Sequence, residues 1–248
     1  MIQSLARGLE IMNILLRKNS ATLTEIALEL GINKSSVSRL IGTLKHYDMV
    51  QLDRVTKKYR LGLRMLNLSE GVKRNIEVIS VARPYLFELS DALGESVHLC
   101  SLSNNQVYVV DQIRSNKAYT LSATVGMVEP MHCSSVGKCI LAYRRPEVLP
   151  KMLEGYDYVK YTDRTITDYD SLMKELEQIR RQGYAVDNEE VTRGICCLAA
   201  PIYNYRGSVT YSLGISSLSA RITPANIDSF VKKLVAVAAG ISAALKAT

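Results

Sequence analysis

Thr22-Leu23-Thr24-Glu25-Ile26-Ala27-Leu28-Glu29-Leu30-Gly31-Ile32-Asn33-Lys34-Ser35-Ser36-Val37-Ser38-Arg39-Leu40 reads as two capped helices and the turn between them. Thr22-x-x-Glu25 is a capping box, in which hydroxyl and carboxylate satisfy each other's free N–H groups. It opens a short helix whose inner face is Leu23, Ile26, Ala27 and Leu30. Gly31 stops that helix and Ile32 plugs the turn. Asn33 is an N-cap for a second helix running to about His46, with Val37, Leu40, Ile41 and Leu44 as its buried stripe. The opposite side carries Ser35, Arg39, Gly42 and Thr43, flanked by Lys34, Ser36 and Ser38.

Working outward, Ser4 is placed to cap an earlier helix in which Leu5, Leu9, Met12 and Leu16 recur at helical spacing. Behind the helix pair, Met49–Leu52 and Tyr59–Leu61 alternate as two short strands around the basic turn 53–58. This order predicts a winged helix-turn-helix over residues 1–61. Hydroxyls and N-terminal amides of the second helix suit phosphates, and Arg39 suits the O6/N7 edge of guanine. Arg54, Lys57, Lys58 and Arg60 are placed to straddle phosphates from the wing. Charge agrees: 13 of 31 Lys and Arg but six of 24 Asp and Glu lie in residues 1–75, which therefore carry the whole +7. A duplex presents one phosphate about every 1.7 Å of axis, so this segregation predicts double-stranded DNA as a partner.

Composition excludes other classes. The chain has 248 residues, 47% hydrophobic and 22% charged, which predicts one large or two ordinary globular domains. No apolar run reaches the ~18–20 residues of a membrane helix, and the first residues lack the pattern of a secretory signal. Five Cys, without repeated C-x-x-C spacing, argue against a disulfide scaffold and for a reducing cytoplasm.

Residues 62–75 predict a linker helix with Leu63, Leu66 and Val72 on one side, packing on the first domain or serving a dimer contact. The remainder, 76–248, predicts a helix ending at Gly94, strands at Val97–Leu102, Val107–Ile113 and Tyr119–Ala123, and helices at Ser135–Tyr143 and Asp168–Gln182. Strands at Cys197–Tyr203 and Val209–Ser216 and a last helix over Pro224–Ala244 follow. The fold class is α+β with an antiparallel sheet.

Several features of this second domain bear on chemistry. His132-Cys133-Ser134-Ser135-Val136-Gly137-Lys138 leaves a strand for a helix, and such helix starts bind anions. A capped helix packed on a sheet fits the same residues equally well. It is not a phosphate-binding P-loop, since Cys139 follows Lys138 and His132 stands where the first Gly belongs. Asp187-Asn188-Glu189-Glu190 reads as a solvated acidic loop. His98, Cys100, His132, Cys133, Cys139, Cys196 and Cys197 match no zinc spacing, so core packing is expected and no metal or cofactor is implied. Cys133 beside His132 is not a nucleophile–base pair, because adjacent residues of a strand point to opposite faces. Two alternatives to a ligand-controlled DNA-binding protein remain. One is a regulator sensing redox state or metal through the Cys/His group. The other is a small-molecule enzyme with an accessory helical domain, for which no competent acid–base or nucleophile set is found.

The chain resembles the isocitrate-lyase-regulator (IclR) family of bacterial transcription factors over essentially its whole length. The carrying segments are Asn33–Leu40, Lys58-Tyr59-Arg60-Leu61-Gly62, His132–Lys138, Gly183–Glu190 and Cys197-Leu198-Ala199-Ala200-Pro201-Ile202. The resemblance implies a winged helix, a linker helix and a profilin- or GAF-like effector domain, assembled as homodimers or dimers of dimers on palindromic operators. It implies a small carboxylate effector held by Ser135, Val136, Asp187, Cys197, Gly214 and Ser216, with Ala118 and Leu121 as an apolar wall. Members that bind glyoxylate have Ser at the position of Gly214, and Val136 is bulkier here, so the resemblance points away from glyoxylate. The stretch from Leu153 to Thr167 looks more like members that regulate sugar-acid catabolism.

Overall fold

A computed structural model describes residues 1–115 and 123–247. The chain divides into two compact units, Met1–Ile76 and Glu77–Thr248.

The first unit runs α1 (Gln3–Lys18), α2 (Leu23–Leu30), α3 (Lys34–His46), β1 (Val50–Leu52), β2 (Tyr59–Leu61) and α4 (Arg64–Arg74). The capping box forms as expected: Thr22 Oγ1 accepts from Glu25 N–H at 3.2 Å, and Glu25 Oε2 accepts from Thr22 N–H at 2.6 Å. Gly31 closes α2 at φ 65°, a left-handed conformation that costs glycine nothing. Asn33 Oδ1 accepts from Ser36 N–H at 2.8 Å and starts α3. The β1–β2 hairpin is antiparallel, and Tyr59 exchanges two backbone hydrogen bonds with Ala21, tying the wing to the turn before α2. Ile11, Ile14, Leu15, Ile26, Val37, Ile41 and Val50 form the core, with Leu40 and Leu44 half-buried against it.

Two expectations for this unit need correction. The stripe Leu5, Leu9, Met12, Leu16 is not the core face of α1: Leu5, Leu9 and Leu16 are 61%, 50% and 66% exposed. Gly8, Ile11, Ile14 and Leu15 face inward instead. Apolar residues surround α1, so spacing alone does not say which stripe meets α2 and α3. Nor does Ser4 cap the helix, which begins at Gln3 without a side-chain cap. In α4 no residue is buried, and Leu63, Leu66, Leu68 and Val72 are exposed.

The second unit carries α5 (Glu77–Leu93), β3 (Ser96–Ser103), β4 (Gln106–Ile113), β5 (Val128–Glu129), α6 (Ser135–Ala142), α7 (Leu149–Met152) and α8 (Tyr169–Gln182). It continues with β6 (Ala185–Asn188), β7 (Ile195–Tyr203), β8 (Val209–Leu218) and α9 (Ile227–Ala247). Among the described residues its six strands pair antiparallel in the order β5-β4-β3-β8-β7-β6, bearing out the α+β class. β3 and β4 meet through Asn104 and Asn105 at φ 49° and 57°, the two-residue turn that suits strand twist. α5 and α9 pack on each other and on the sheet, where Val97, Leu99, Leu198, Leu213 and Ile215 are fully buried. α6 packs on β6, β7 and β8, and α8 packs on α6. Sequence pattern did not anticipate β5 or α7, both too short for periodicity. The expected strand Tyr119–Ala123 lies, but for Ala123, outside the described residues. Among the described residues no helix is long and apolar enough to cross a membrane.

All eight residues of α6 are buried, Lys138 included at 0% exposure. Its ammonium donates to Glu175 on α8 at 3.0 Å and to Glu190 beyond β6. Removing one partner of such a pair leaves a charge stranded in the interior, at about 3–5 kcal/mol. Lys138→Met should therefore destabilise the protein by about that amount in urea unfolding, and adding Glu190→Gln should recover a large part. A Lys138→Met protein as stable as wild type would refute the role of this pair.

Candidate nucleic-acid interface and ligand cavity

On the first unit, Lys34, Ser35, Ser38, Arg39 and Thr43 of α3 are exposed and Ser36 is half-buried. Arg54, Lys57 and Arg60 are exposed on the hairpin, with Lys58 half-buried. Asp53 Oδ1 accepts from Val55 and Thr56 N–H at 2.9 and 3.0 Å and turns the hairpin tip, where Lys57 takes φ 56°. The acidic residues of the unit pair elsewhere: Glu10 and Glu29 with Arg17 and Lys18, Glu70 with Lys73. Among the described residues no salt bridge ties down the cations of α3 or of the wing, although Lys58 and Arg60 lie close enough to Glu25 and Asp53 to lower the pKa of those carboxyls. A groove of about 810 Å³ beside α3 is lined by Ser36, Arg39 and Thr43 and also by Arg7, Gln3 and His46. Arg7 was missed in the sequence because α1 could not be phased.

On the second unit, strand register assembles a cavity of about 250 Å³. Asp187, Cys197 and Ser216 are cross-strand partners on β6, β7 and β8. Two residues along, on the same face, Ala185, Ala199, Gly214 and His98 form a second row. Ser135 and Val136 come from the start of α6, where Ser134 caps Gly137 N–H at 3.1 Å and leaves the first amides free. Ser135, Val136, Asp187, Cys197 and Ser216 all line the cavity, with His98, Glu129 and Ser134 beside them. Gly214 does not itself line the cavity; the side chains of His98 and Val136, which do, occupy the space where a Cβ on it would stand. Ala118 and Leu121 lie outside the described residues.

The acidic loop is built, not solvated, which corrects the expectation for 187–190. Asp187 and Glu190 are 3% and 7% exposed. Asp187 Oδ1 accepts from Glu190 N–H at 2.7 Å, and Thr162 and Thr165 hydroxyls donate to the Glu190 carbonyl. Lys138 holds the Glu190 carboxyl, so the helix start and the loop carrying Asp187 are bolted together.

Electrostatics in the cavity are dominated by burial. It pushes Glu129 up to about 7, helped by repulsion from Asp187, and Asp187 up to about 6 against its backbone hydrogen bonds. It pulls His98 down to about 4, so the imidazole is neutral. Cys197 donates to Ser216 Oγ at 3.3 Å and is pushed well above the usual thiol range, as are Cys100, Cys133 and Cys139. Thiols so far from ionisation are poor redox sensors and poor ligands. His132 and Cys133 lie in a turn, so strand alternation is not what separates them. His132 is instead occupied on both nitrogens, by Tyr156 Oη and the Val159 carbonyl, each at 3.0 Å. Among the described residues no group of three His, Cys, Asp or Glu is placed to hold a metal. His98 and Glu129 were missed as cavity residues: only cross-strand register reveals the first, and β5 is two residues long.

A raised carboxyl binds its proton more tightly folded than unfolded, so Glu129 lends stability that is lost as pH climbs from its ordinary 4.5 to about 7. Glu129→Gln cannot ionise. It should raise the melting temperature by a few degrees at pH ~8 and leave it nearly unchanged at pH ~5, measured calorimetrically. A shift independent of pH would contradict this.

Comparison with known proteins identifies the two units. The pattern of "IclR helix-turn-helix domain" matches residues 4–54, and that of "Bacterial transcriptional regulator IclR C-terminal" matches residues 71–243. The HTH-type transcriptional regulator XynR of Escherichia coli K12 is 30% identical over 245 residues, covering 98% of this chain and 97% of XynR. The crystal structure of an IclR transcriptional regulator from Alicyclobacillus acidocaldarius superposes with a TM-score of 0.83 at 27% identity, over 99% of each chain. An IclR homologue from Microbacterium hydrocarbonoxydans, complexed with 4-hydroxybenzoate, has the same fold, with a TM-score of 0.84 at 23% identity over 99% of this chain and 100% of that one. The chain belongs to the IclR family of bacterial transcriptional regulators, with a helix-turn-helix DNA-binding domain and a C-terminal ligand-binding domain.

Proposed function

We propose that the protein controls a catabolic operon by binding a palindromic operator and responding to a small carboxylate, a sugar acid among the candidates. In this reading residues 1–61 bind DNA, 62–75 form the linker helix, and 76–248 take the effector and oligomerise, all in the reducing cytoplasm. The observation that carries it is the exposed face of α3, where Lys34, Ser35, Ser38, Arg39 and Thr43 stand with a cationic wing that no salt bridge holds among the described residues. Lys34, Ser35, Ser36, Ser38, Thr43, Arg54, Lys57, Lys58 and Arg60 would hold phosphates, and Arg39 would read a base. A homodimer, or a dimer of dimers, is supported by apolar surface in the first unit. Leu5, Leu9, Met12, Leu44, Tyr47 and Met49 line a groove of about 470 Å³, and α4 buries none of its leucines. A two-fold assembly would set the half-site spacing.

For the effector, Ser135 and Val136 offer free amides to a carboxylate, and Asp187, Cys197 and Ser216 offer hydrogen-bonding groups across the cavity. A protein of the same fold takes an aromatic acid, which supports an acid as the class. The test is operator binding by the full chain over a salt series. With about 6–10 phosphate contacts, affinity should fall roughly 10³–10⁵-fold between 50 and 200 mM salt. Arg39→Ala should weaken binding to operator by about 1–3 kcal/mol while changing random-sequence binding less. Equal losses on both duplexes would reduce Arg39 to a phosphate contact, and no loss would remove it from the interface.

A further inference from the structure

Gly214 and His98 face each other across β8 and β3. A Cβ built on Gly214 would meet His98 Nε2, the near edge of the ring, far inside contact distance, and Val136 Cγ1 at 2.8 Å. The imidazole therefore fills the space over residue 214, and the row Ala185, Ala199, Gly214 is small enough to let it. His98 is 4% exposed, lines the cavity, and hydrogen-bonds to no group among the described residues. With no protein partner, its nitrogens are open to whatever fills the cavity. Also lining the cavity, the Glu129 carboxyl meets no donor among the described residues, and both hydrogen bonds to Asp187 end on Oδ1, leaving Oδ2 open.

These groups call for a ligand that can donate: the carboxyls accept, and the neutral imidazole accepts on one nitrogen while donating from the other. The free amides of α6 favour a single anionic end, and α6 is where a carboxylate gains from helix polarity. Elsewhere the cavity offers two carboxyls, which only accept when ionised, together with the imidazole and the hydroxyls of Thr192 and Ser216, which accept or donate. Among the described residues no Lys or Arg lines it. A second carboxylate on the ligand would be repelled by Glu129 and Asp187, and an apolar tail would leave them unpaired. Hydroxyl groups satisfy them. We infer that His98 and Glu129 are specificity-determining residues of this cavity, His98 standing in for a side chain at position 214, and that they select a hydroxylated monocarboxylate. This rests on reading the cavity as the effector site.

The test is calorimetric titration of the full chain at pH 8 with three matched sets of acids. Threonate, xylonate and gluconate carry one carboxylate and several hydroxyls. Butanoate, pentanoate and hexanoate lack the hydroxyls, and the aldarates tartrate, xylarate and glucarate add a second carboxylate. At least one aldonate should bind tenfold or more tightly than its deoxy and dicarboxylate counterparts. His98→Ala and Glu129→Gln should each reduce that affinity tenfold or more, with folding checked by thermal melting. The wild-type comparison needs no variant, so it decides even if His98→Ala fails to fold. Deoxy or dicarboxylic acids binding as tightly as the aldonates would overturn the inference and leave the effector cavity standing. Undiminished aldonate binding by both variants would overturn the roles of His98 and Glu129. Silence from all three sets would sink the inference together with the effector reading of the cavity, while operator binding is scored on its own.

Discussion

The ligand-binding unit depends on one buried cation. Lys138 sits inside a helix with no exposed residue, and its ammonium reaches Glu175 on one neighbour and Glu190 on the acidic loop. A charge in that position tolerates little displacement, because any gap leaves it neither solvated nor paired. Burial pushes Glu190 upward, while the ammonium and its hydrogen bond pull it back. The consequence is geometric. The start of α6 and the loop bearing Asp187 come from residues some fifty positions apart in the chain, yet they keep a fixed separation. The cavity between them is thereby preorganised, and a ligand need not supply the ordering itself.

The DNA-binding unit rests on smaller forces. Thr22 and Asn33 satisfy the orphan amides of α2 and α3, and Gly31 sets the turn between those helices. Each cap contributes about 1 kcal/mol, but together they orient α3 so that its hydroxyls and Arg39 face outward while Val37 and Ile41 face in. The wing is anchored through Tyr59 and Ala21, and the tip beyond that anchor stays exposed. Rigid support below and exposed cations above is what a phosphate-binding surface requires.

Local signals made the first unit legible. Capping residues, the Gly turn and the basic hairpin each act within a few positions, so the chain displays them directly. α1 was misphased because Leu5, Leu9 and Leu16 compete with Ile11, Ile14 and Leu15, and only the packing of α2 and α3 decides between the two stripes. In the second unit the strands and the helix start at Ser134 were readable, but the burial of Asp187 and Glu190 was not. Their environment comes from Lys138, Thr162 and Thr165, all remote in sequence. His98 and Glu129 were invisible as cavity residues for a similar reason. One is placed by register across two strands and the other by a strand too short to show alternation.

The glycine under the imidazole has an evolutionary corollary. Positions 98 and 214 occupy one volume, so a change of ligand preference at either is constrained by the other. A lineage that enlarges residue 214 first must pass through an overfilled protein, with the imidazole and the Val136 side chain forced to shift. One that trims position 98 first passes through a protein with an empty polar recess that water can occupy, a milder intermediate. Diversification of such sensors should therefore run in an ordered pair of steps, the aromatic ring leaving before the hydroxyl arrives.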